Sequence, residues 1–420
     1  MGKSVGKCCM RREESSMGEG RNRIVVWALR NARPTLFLAA LLSRLILPIV
    51  HYSGVTSDSV TYLSMARGML NGVGFVDIEG RPTAKRPPVY PLFLTGMLKM
   101  SGNELRGVQI VQAILSAALA PLLFEFLGGR LGRGAAFLAG LLWAFDPVSI
   151  PPPAYILTES IGAVLVFLWY LQWTRTLRHS SVRGFLWQGV LGGVLPYQTM
   201  ITALLHLLAM VATFFHRPRF WKRIFVSLII MIIPMQLWAW RNRVVLGEET
   251  AVRSGGFGFL LWATMQYDFP WLLSPYDPRG AMIFKQEKHV YRHYPLSEQH
   301  RIYFRKGRAR FFSDPVGGTV RAIKGVFWSW VDVPGAMKSL DRFPIAKAFL
   351  RVANIVSLLL ALVGMGRAWR VTEGRCAIGV LLYFTFFHMW LYPIPRYFLP
   401  VRPLLALLGG FGVGTLFPRK

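Results

Sequence analysis

The sequence predicts an all-α polytopic membrane protein of about ten transmembrane helices, and three observations predict it. Charged residues make up only 16% of the 420 residues while hydrophobic residues reach 53%, against roughly 25% charged in an ordinary globular chain. Too few charges remain to cover a soluble surface of this size. Second, apolar windows that suit a bilayer crossing, which takes about 20 residues per helix, recur along the chain. Third, the charges are lopsided, with 49 Lys and Arg against 20 Asp and Glu, a formal net of +29. No nucleic-acid motif accompanies that excess, so it reads as membrane orientation and attraction to anionic membrane lipids, with no nucleic-acid partner. Three cysteines (Cys8, Cys9 and Cys376) exclude a disulfide framework.

The apolar windows lie near 35–50, 108–127, 135–150, 156–173, 184–196, 199–215, 224–240, 348–366, 376–391 and 398–416. The fifth is short, and Pro196 leaves it and the sixth as either a tight hairpin or one kinked helix. The positive-inside rule favours ten spans with both ends cytoplasmic. The inner segments 1–34, 128–134, 174–183, 216–223, 367–375 and 417–420 then carry 22 Lys and Arg, and the short outer connections 146–155, 195–199 and 392–397 carry only Arg396.

Four regions follow. Residues 1–34 are a basic cytoplasmic tail without a cleavable signal pattern, in which 24–30 lie along the inner interface. Residues 35–240 are an N-terminal transmembrane module that includes a first outer loop, 51–106. Residues 241–347 form a large outer region with 17 basic and 9 acidic residues, a net of +8, and 348–420 are the C-terminal helices. Loops as long as the two outer ones usually have a function. A segment at 296–312 in the larger one is expected to be a surface helix held against anionic headgroups.

In the first loop, Asp58 stands where a helix N-terminus welcomes a carboxylate. Tyr62, Met65, Ala66, Met69 and Leu70 follow at helical spacing, and Asn71-Gly72 ends the run. This reads as an amphipathic helix lying on the membrane, with Asp58 either a mere cap or a chemical group. Lys85 and Arg86 precede Pro87-Pro88, a rigid turn that fixes two cations at the surface and suits a lipid phosphate.

The order of Asp58, Tyr62, Ala66, Gly72-x-Gly74-Phe75 and Lys85-Arg86-Pro87-Pro88-x-Tyr90-Pro91 resembles the GT-C glycosyltransferases. The resemblance is to bacterial members similar to dolichyl-phosphate-mannose–protein mannosyltransferases and the lipid A aminoarabinose transferase. Ala154-Tyr155-Ile156-Leu157-Thr158-Glu159-Ser160, Arg241-Asn242-Arg243 with Ser254-Gly255-Gly256, Asp314-Pro315 leading to Phe327-Trp328-Ser329-Trp330, and Pro395-Arg396-Tyr397-Phe398-Leu399-Pro400 continue it along nearly the whole chain. The chain departs from the family at Ser57 and Ser59, where many relatives carry an acid, and at Leu195-Pro196-Tyr197-Gln198-Thr199, where a Thr-Arg-Pro is common.

The resemblance implies a GT-C fold in a bacterial cytoplasmic membrane, with the active site on the outer face. It implies transfer of a sugar, with inversion, from a polyprenyl-phosphate-linked donor to a lipid, glycan or protein acceptor. A phosphate leaving group needs charge neutralisation, and the acceptor hydroxyl needs a carboxylate within reach. Asp58 is therefore assigned as base, and Glu159 as a second acidic residue that positions the acceptor or holds an arginine. Lys85, Arg86, Arg241, Arg243 and Arg396 are the donor-phosphate candidates, supported by Tyr62, Tyr90 and Tyr397; Arg402 sits deeper. No cofactor is expected, and no carboxylate and histidine cluster demands a metal. A GT-C-like glycan ligase and a transporter or flippase of lipid-linked sugars are the alternatives. Of the polar residues inside spans, Arg44 is expected to pair with an acid across the bundle, Glu125 to pair with Arg130 or snorkel, and His206 to be a hydrogen-bonded core histidine. Gly189 and Gly193 are expected to allow close helix packing.

Overall fold

A computed structural model describes residues 27–50, 54–198, 200–247, 257–266, 294, 296–333, 344–391 and 393–416. Its α-helices are α1 (Ala32–Val50), α2 (Ser57–Leu70), α3 (Val89–Met100), α4 (Leu105–Ala117), α5 (Leu119–Leu131), α6 (Arg133–Ala144), α7 (Glu159–His179), α8 (Val182–Val194), α9 (Leu205–His216), α10 (Trp221–Leu246), α11 (Phe257–Gln266), α12 (Leu296–Ser313), α13 (Pro315–Val331), α14 (Pro344–Ala368), α15 (Thr372–Trp390) and α16 (Arg402–Leu416). A 3₁₀ helix, Pro395–Val401, leads into α16. Among the described residues no strand forms; one antiparallel bridge joins Val76 and Pro82.

The chain is an all-α polytopic membrane protein, as predicted, and the described part of each apolar window is mostly helical, though 135–150 is helical only to Ala144. Among the described residues, five segments (Ala32–Ile49, Leu105–Leu131, Pro218–Leu246, Pro344–Ala368 and Pro395–Leu416) are long and apolar enough to cross a membrane. Others are short: α6 and α9 have 12 residues each, a rise of about 18 Å against a hydrocarbon core of about 30 Å. The stretch around Pro196 is neither a tight hairpin nor one kinked helix. Short 3₁₀ turns at Leu195–Tyr197 and Met200–Thr202 separate α8 from α9.

Lipid is as apolar as leucine, so close packing and internal hydrogen bonds must hold such a bundle together. The principal core joins α1 with α5 to α7, α15 and α16 around Trp143, Trp169, Phe167 and Phe384. Gly189 and Gly193 behave as the sequence suggests. Side chains there would come within 2.6 Å of Ser227 O and 2.9 Å of Met231 O, so α8 packs directly on α10. His206 accepts from Trp169 Nε1–H at 3.1 Å and lies 3.3 Å from Ser227 Oγ, a buried, satisfied histidine.

Two polar expectations and one apolar one are corrected. Among the described residues Arg44 pairs directly with no carboxylate: it donates to Ser116 Oγ, Ser149 Oγ and the carbonyls of Ala40, Trp143 and Ala144. Glu125 pairs with Arg33 at 2.6 Å, and Arg130 turns towards Glu373, 3.7 Å away, which Arg178 also holds. The apolar face of α2 lies on protein rather than on the membrane. Tyr62, Leu63 and Ala66 pack with Tyr90 and Leu94 of α3, while Met65 joins Phe75, Tyr197 and Trp238. Periodicity shows that a face is covered, but not by what.

Of the expected interfacial segments, the 296–312 helix is present as α12. The inner-interface stretch 24–30 is described only from Trp27, which is exposed. Residues 24–26 and Ser254-Gly255-Gly256 lie outside the described residues.

Candidate active site

The site is assembled at the start of α2. Thr56, in extended backbone, caps this helix: its side chain accepts from the Ser59 N–H, and Ser59 Oγ accepts from the Thr56 N–H at 2.9 Å. Ser59, one of the departures from the family pattern, closes this reciprocal cap. Asp58 is thereby released from capping, and its carboxylate does something else.

Both of its oxygens accept from arginines. Arg86 Nη2 donates to Asp58 Oδ1 at 2.5 Å, and Arg396 Nη2 donates to Oδ2 at 2.8 Å. Arg396 Nε also stands 3.5 Å from Glu159 Oε1. Two carboxylates and two guanidinium groups thus form one half-buried cluster, drawn from loops some 28 and 338 positions apart along the chain. Burial alone would raise the Asp58 carboxyl, but the charges and hydrogen bonds of Arg86 and Arg396 outweigh it and hold it below the usual carboxylate range.

Each member has a local reason for its place. Arg86 precedes Pro87 and Pro88, and Pro88 leads directly into α3, so the arginine stands on a stiff turn. Its guanidinium also lies over the Tyr62 ring, 5.2 Å from the centroid. Tyr62 meets Tyr90 edge to face at 5.1 Å, and the Tyr90 hydroxyl donates to Gln112 Oε1 at 2.8 Å. Burial pushes the Tyr62 phenol up to about 12 and the Tyr90 phenol well above its ordinary value. Both stay protonated at neutral pH and form walls rather than bases.

Glu159 opens α7, and the loop before it is held from three sides. Gln112 Nε2 donates to the carbonyls of Pro153 and Tyr155 at 3.0 and 2.9 Å, Gln109 Nε2 to Ala154 O at 2.6 Å, and Gln198 Nε2 to Thr158 O. The Ile156 N–H donates to Gly54 O at 2.9 Å, tying this loop to the segment that carries Asp58. A side chain at Gly54 would lie 1.9 Å from Ala154 O, so only glycine permits this approach. Gln198, in the second departure from the family pattern, braces the start of α7. Sequence reading missed Gln109, Gln112 and Gln198 as supports, because an amide in an apolar window shows no chemistry until its partner is known.

Arg396 lies on the Pro395–Val401 helix. Its guanidinium stands 5.4 Å from the Tyr397 ring, and Phe398 of the same turn packs on Trp330 at 4.4 Å. Two turns on, Arg402 is buried: it donates to Asp146, and to Asn354 Oδ1 at 2.7 Å. Asn354 Nδ2 in turn donates to the carbonyls of Trp330 and Val331 at 2.8 and 2.9 Å.

The remaining candidates stand apart from these contacts. Arg241 donates to Thr83 O at 3.0 Å and Phe75 O at 3.4 Å and lies over Phe75 and Trp238, so it ties the 75–84 loop to α10. Lys85 is exposed beside Arg86, and its N–H donates to Thr83 Oγ1 at 3.1 Å. Arg243 is exposed on the last turn of α10.

A family model described as dolichyl-phosphate-mannose-protein mannosyltransferase matches residues 85–240. That segment contains Lys85, Arg86, Tyr90 and Glu159, and leaves Asp58 and Arg396 outside. Among solved structures, the chain is similar to the crystal structure of ArnT from Cupriavidus metallidurans bound to undecaprenyl phosphate. Identity is 15% and the TM-score 0.41, over 93% of this chain and 78% of that one. No curated protein matches. Through its ordered motifs and the family match over 85–240, the chain resembles the GT-C membrane glycosyltransferases of the dolichyl-phosphate-mannose–protein mannosyltransferase kind.

Proposed function

We propose that the chain is a glycosyltransferase that moves a sugar, with inversion, from a polyprenyl-phosphate donor to an acceptor hydroxyl on the outer face of a bacterial cytoplasmic membrane. The observation that carries this reading is the convergence of Asp58, Arg86, Arg396 and Glu159 from distant loops. Such transfer requires a carboxylate for the acceptor proton and cations for the departing phosphate. Guanidinium forks match phosphate oxygens in geometry as well as charge. Asp58 is the base in this reading, Arg86 and Arg396 bind the donor phosphate, and Glu159 holds Arg396. Lys85, beside Arg86, and Arg243, at the end of α10, are flanking cations for the lipid phosphate. Arg241 supports the site by fixing the loop that carries Lys85 and Arg86.

Anionic membrane lipids complete the list of partners. On α12, Arg301, Arg305 and Arg308 recur at helical spacing and are exposed, followed along the same stripe by exposed Phe312. Phe311 meets Trp390, at the end of α15, edge to face at 5.6 Å. This suits a helix at the headgroup level of the outer leaflet.

The test is to incubate the purified chain with a panel of labelled polyprenyl-phosphate sugars and follow which label moves to an acceptor. Transfer of any one of them, lost in Asp58→Asn, supports the reading. Absence of transfer and of donor binding across the panel would remove it.

A further inference from the structure

In the resting site the Asp58 carboxylate occupies the groups that a phosphate would need. Each of its oxygens takes one guanidinium N–H, from Arg86 and from Arg396. The Nε–H groups of both arginines are buried and, among the described residues, lack a hydrogen-bond acceptor. Arg396 Nε has only a long 3.5 Å approach to Glu159. Two buried Nε–H groups that make no hydrogen bond, one of them in only a long ion contact, on two arginines sharing one carboxylate, fit an anion with more oxygens than a carboxylate has. The four side chains are also charge-balanced, two positive and two negative. A bound phosphate adds negative charge, and competes with Asp58 for the same two cations.

We infer that Asp58 is the resting occupant of the donor's phosphate site: the donor binds by exchanging its phosphate for the Asp58 carboxylate on Arg86 and Arg396, and that exchange frees Asp58 to act as base. This inference rests on the polyprenyl-phosphate reading and adds an order of events to it. Before exchange, two charge-assisted bonds stabilise the Asp58 carboxylate as the anion and make it a poor base for a hydroxyl. After exchange, the carboxylate is half-buried without its cations, a change that makes it more basic. The acceptor O–H proton then passes to Asp58 as the acceptor oxygen bonds to the anomeric carbon. The bond from that carbon to the phosphate oxygen breaks, and its electron pair leaves on the phosphate, which Arg86 and Arg396 neutralise. Donor therefore binds first, and an acceptor alone is left undeprotonated.

The exchange makes a prediction that a base which merely stands beside the phosphate site does not. Removing the Asp58 charge should tighten donor binding. Decaprenyl monophosphate is titrated calorimetrically into the full chain in detergent, in wild type, Asp58→Asn and Arg396→Ala. An arginine pair free only about a tenth of the time binds about tenfold more weakly than a free one. Asp58→Asn should therefore bind about tenfold tighter than wild type, and Arg396→Ala more weakly. Should Asp58→Asn fail to fold, Asp58→Ser also removes the charge and must show the same gain. Equal or weaker binding by the charge-removed variant, with wild type still binding, overturns the exchange and leaves the donor reading standing. A wild type that binds no prenyl phosphate overturns both.

Discussion

Two arginine–carboxylate clusters in this molecule use the same chemistry for opposite ends. In the outer one, Asp58 and Arg86 keep 30% and 29% of their side-chain surface exposed; in the inner one, Asp146 and Arg402 keep 6% and 1%. The inner cluster is sealed, with Asn354 bonding Arg402 and the end of α13 at once. The outer cluster is open: Arg86 and Arg396 share the Asp58 carboxylate with 29% and 21% of their own side-chain surface still exposed. Ion pairing alone therefore does not mark a site; a pair that can trade partners does. The two clusters are also linked in the chain, since Arg402 fixes the end of the short helix on which Arg396 stands.

The comparison can be broken most forcefully from the inside. Arg402→Ala leaves Asp146 buried without its partner, a loss of about 3–5 kcal/mol. It should abolish the monodisperse peak of the purified chain in detergent, or lower its melting temperature sharply. Normal melting of Arg402→Ala would dissolve the distinction between the clusters. Arg396→Ala, in the open cluster, should fold normally yet lose about 2–4 kcal/mol of transition-state stabilisation, read as a fall in kcat/KM for the donor. Asp58→Asn should fold normally too and lose about 10²-fold or more in kcat.

A pH series sharpens the comparison further. Protonating Asp58 removes the base, so the rate falls as pH falls. In the free chain its carboxyl is held below the usual carboxylate range by Arg86 and Arg396, against the opposing effect of burial. The acid limb of kcat/KM, which reports the free enzyme, should therefore lie below that range. The limb of kcat, which reports the bound complex, should lie higher once the arginines have turned to the phosphate; coincident limbs would speak against the exchange. The same sign governs stability: the contribution of Asp58 is present above its unfolded-state value and is lost as pH falls through the depressed folded one. The smallest effect expected is that of Thr56→Ala, which removes the α2 cap and about 1 kcal/mol. It should lower the melting temperature slightly while leaving the acid limb of kcat/KM in place.

Most of the helices were legible because lipid imposes long apolar runs, and the described part of each window is mostly helical. The four charged residues of the site were legible through family motifs, not through spacing: nothing in 338 intervening positions shows that Arg396 reaches Asp58. Asp146 escaped notice because an acid at the outer end of an apolar window, where a connection begins, looks like an ordinary loop residue. Its role exists only through Arg402, 256 positions later. Arg44 was misread for a related reason. A lone cation in a span suggests a carboxylate partner, yet carbonyl oxygens released where α6 ends, at Trp143 and Ala144, can satisfy it equally well.

Arg44 also bears on how the protein is made. It sits within α1, and apart from Ala40 O and Ser43 Oγ its hydrogen-bond acceptors belong to residues 116, 143, 144 and 149. When α1 leaves the ribosome, those partners have not yet been synthesised. A guanidinium short of most of its acceptors opposes residence in hydrocarbon, so α1 is expected to be held less firmly in the membrane until α4 to α6 arrive. Nascent chains arrested before residue 116 should consequently be extracted from membranes by alkali more readily than chains arrested beyond residue 149.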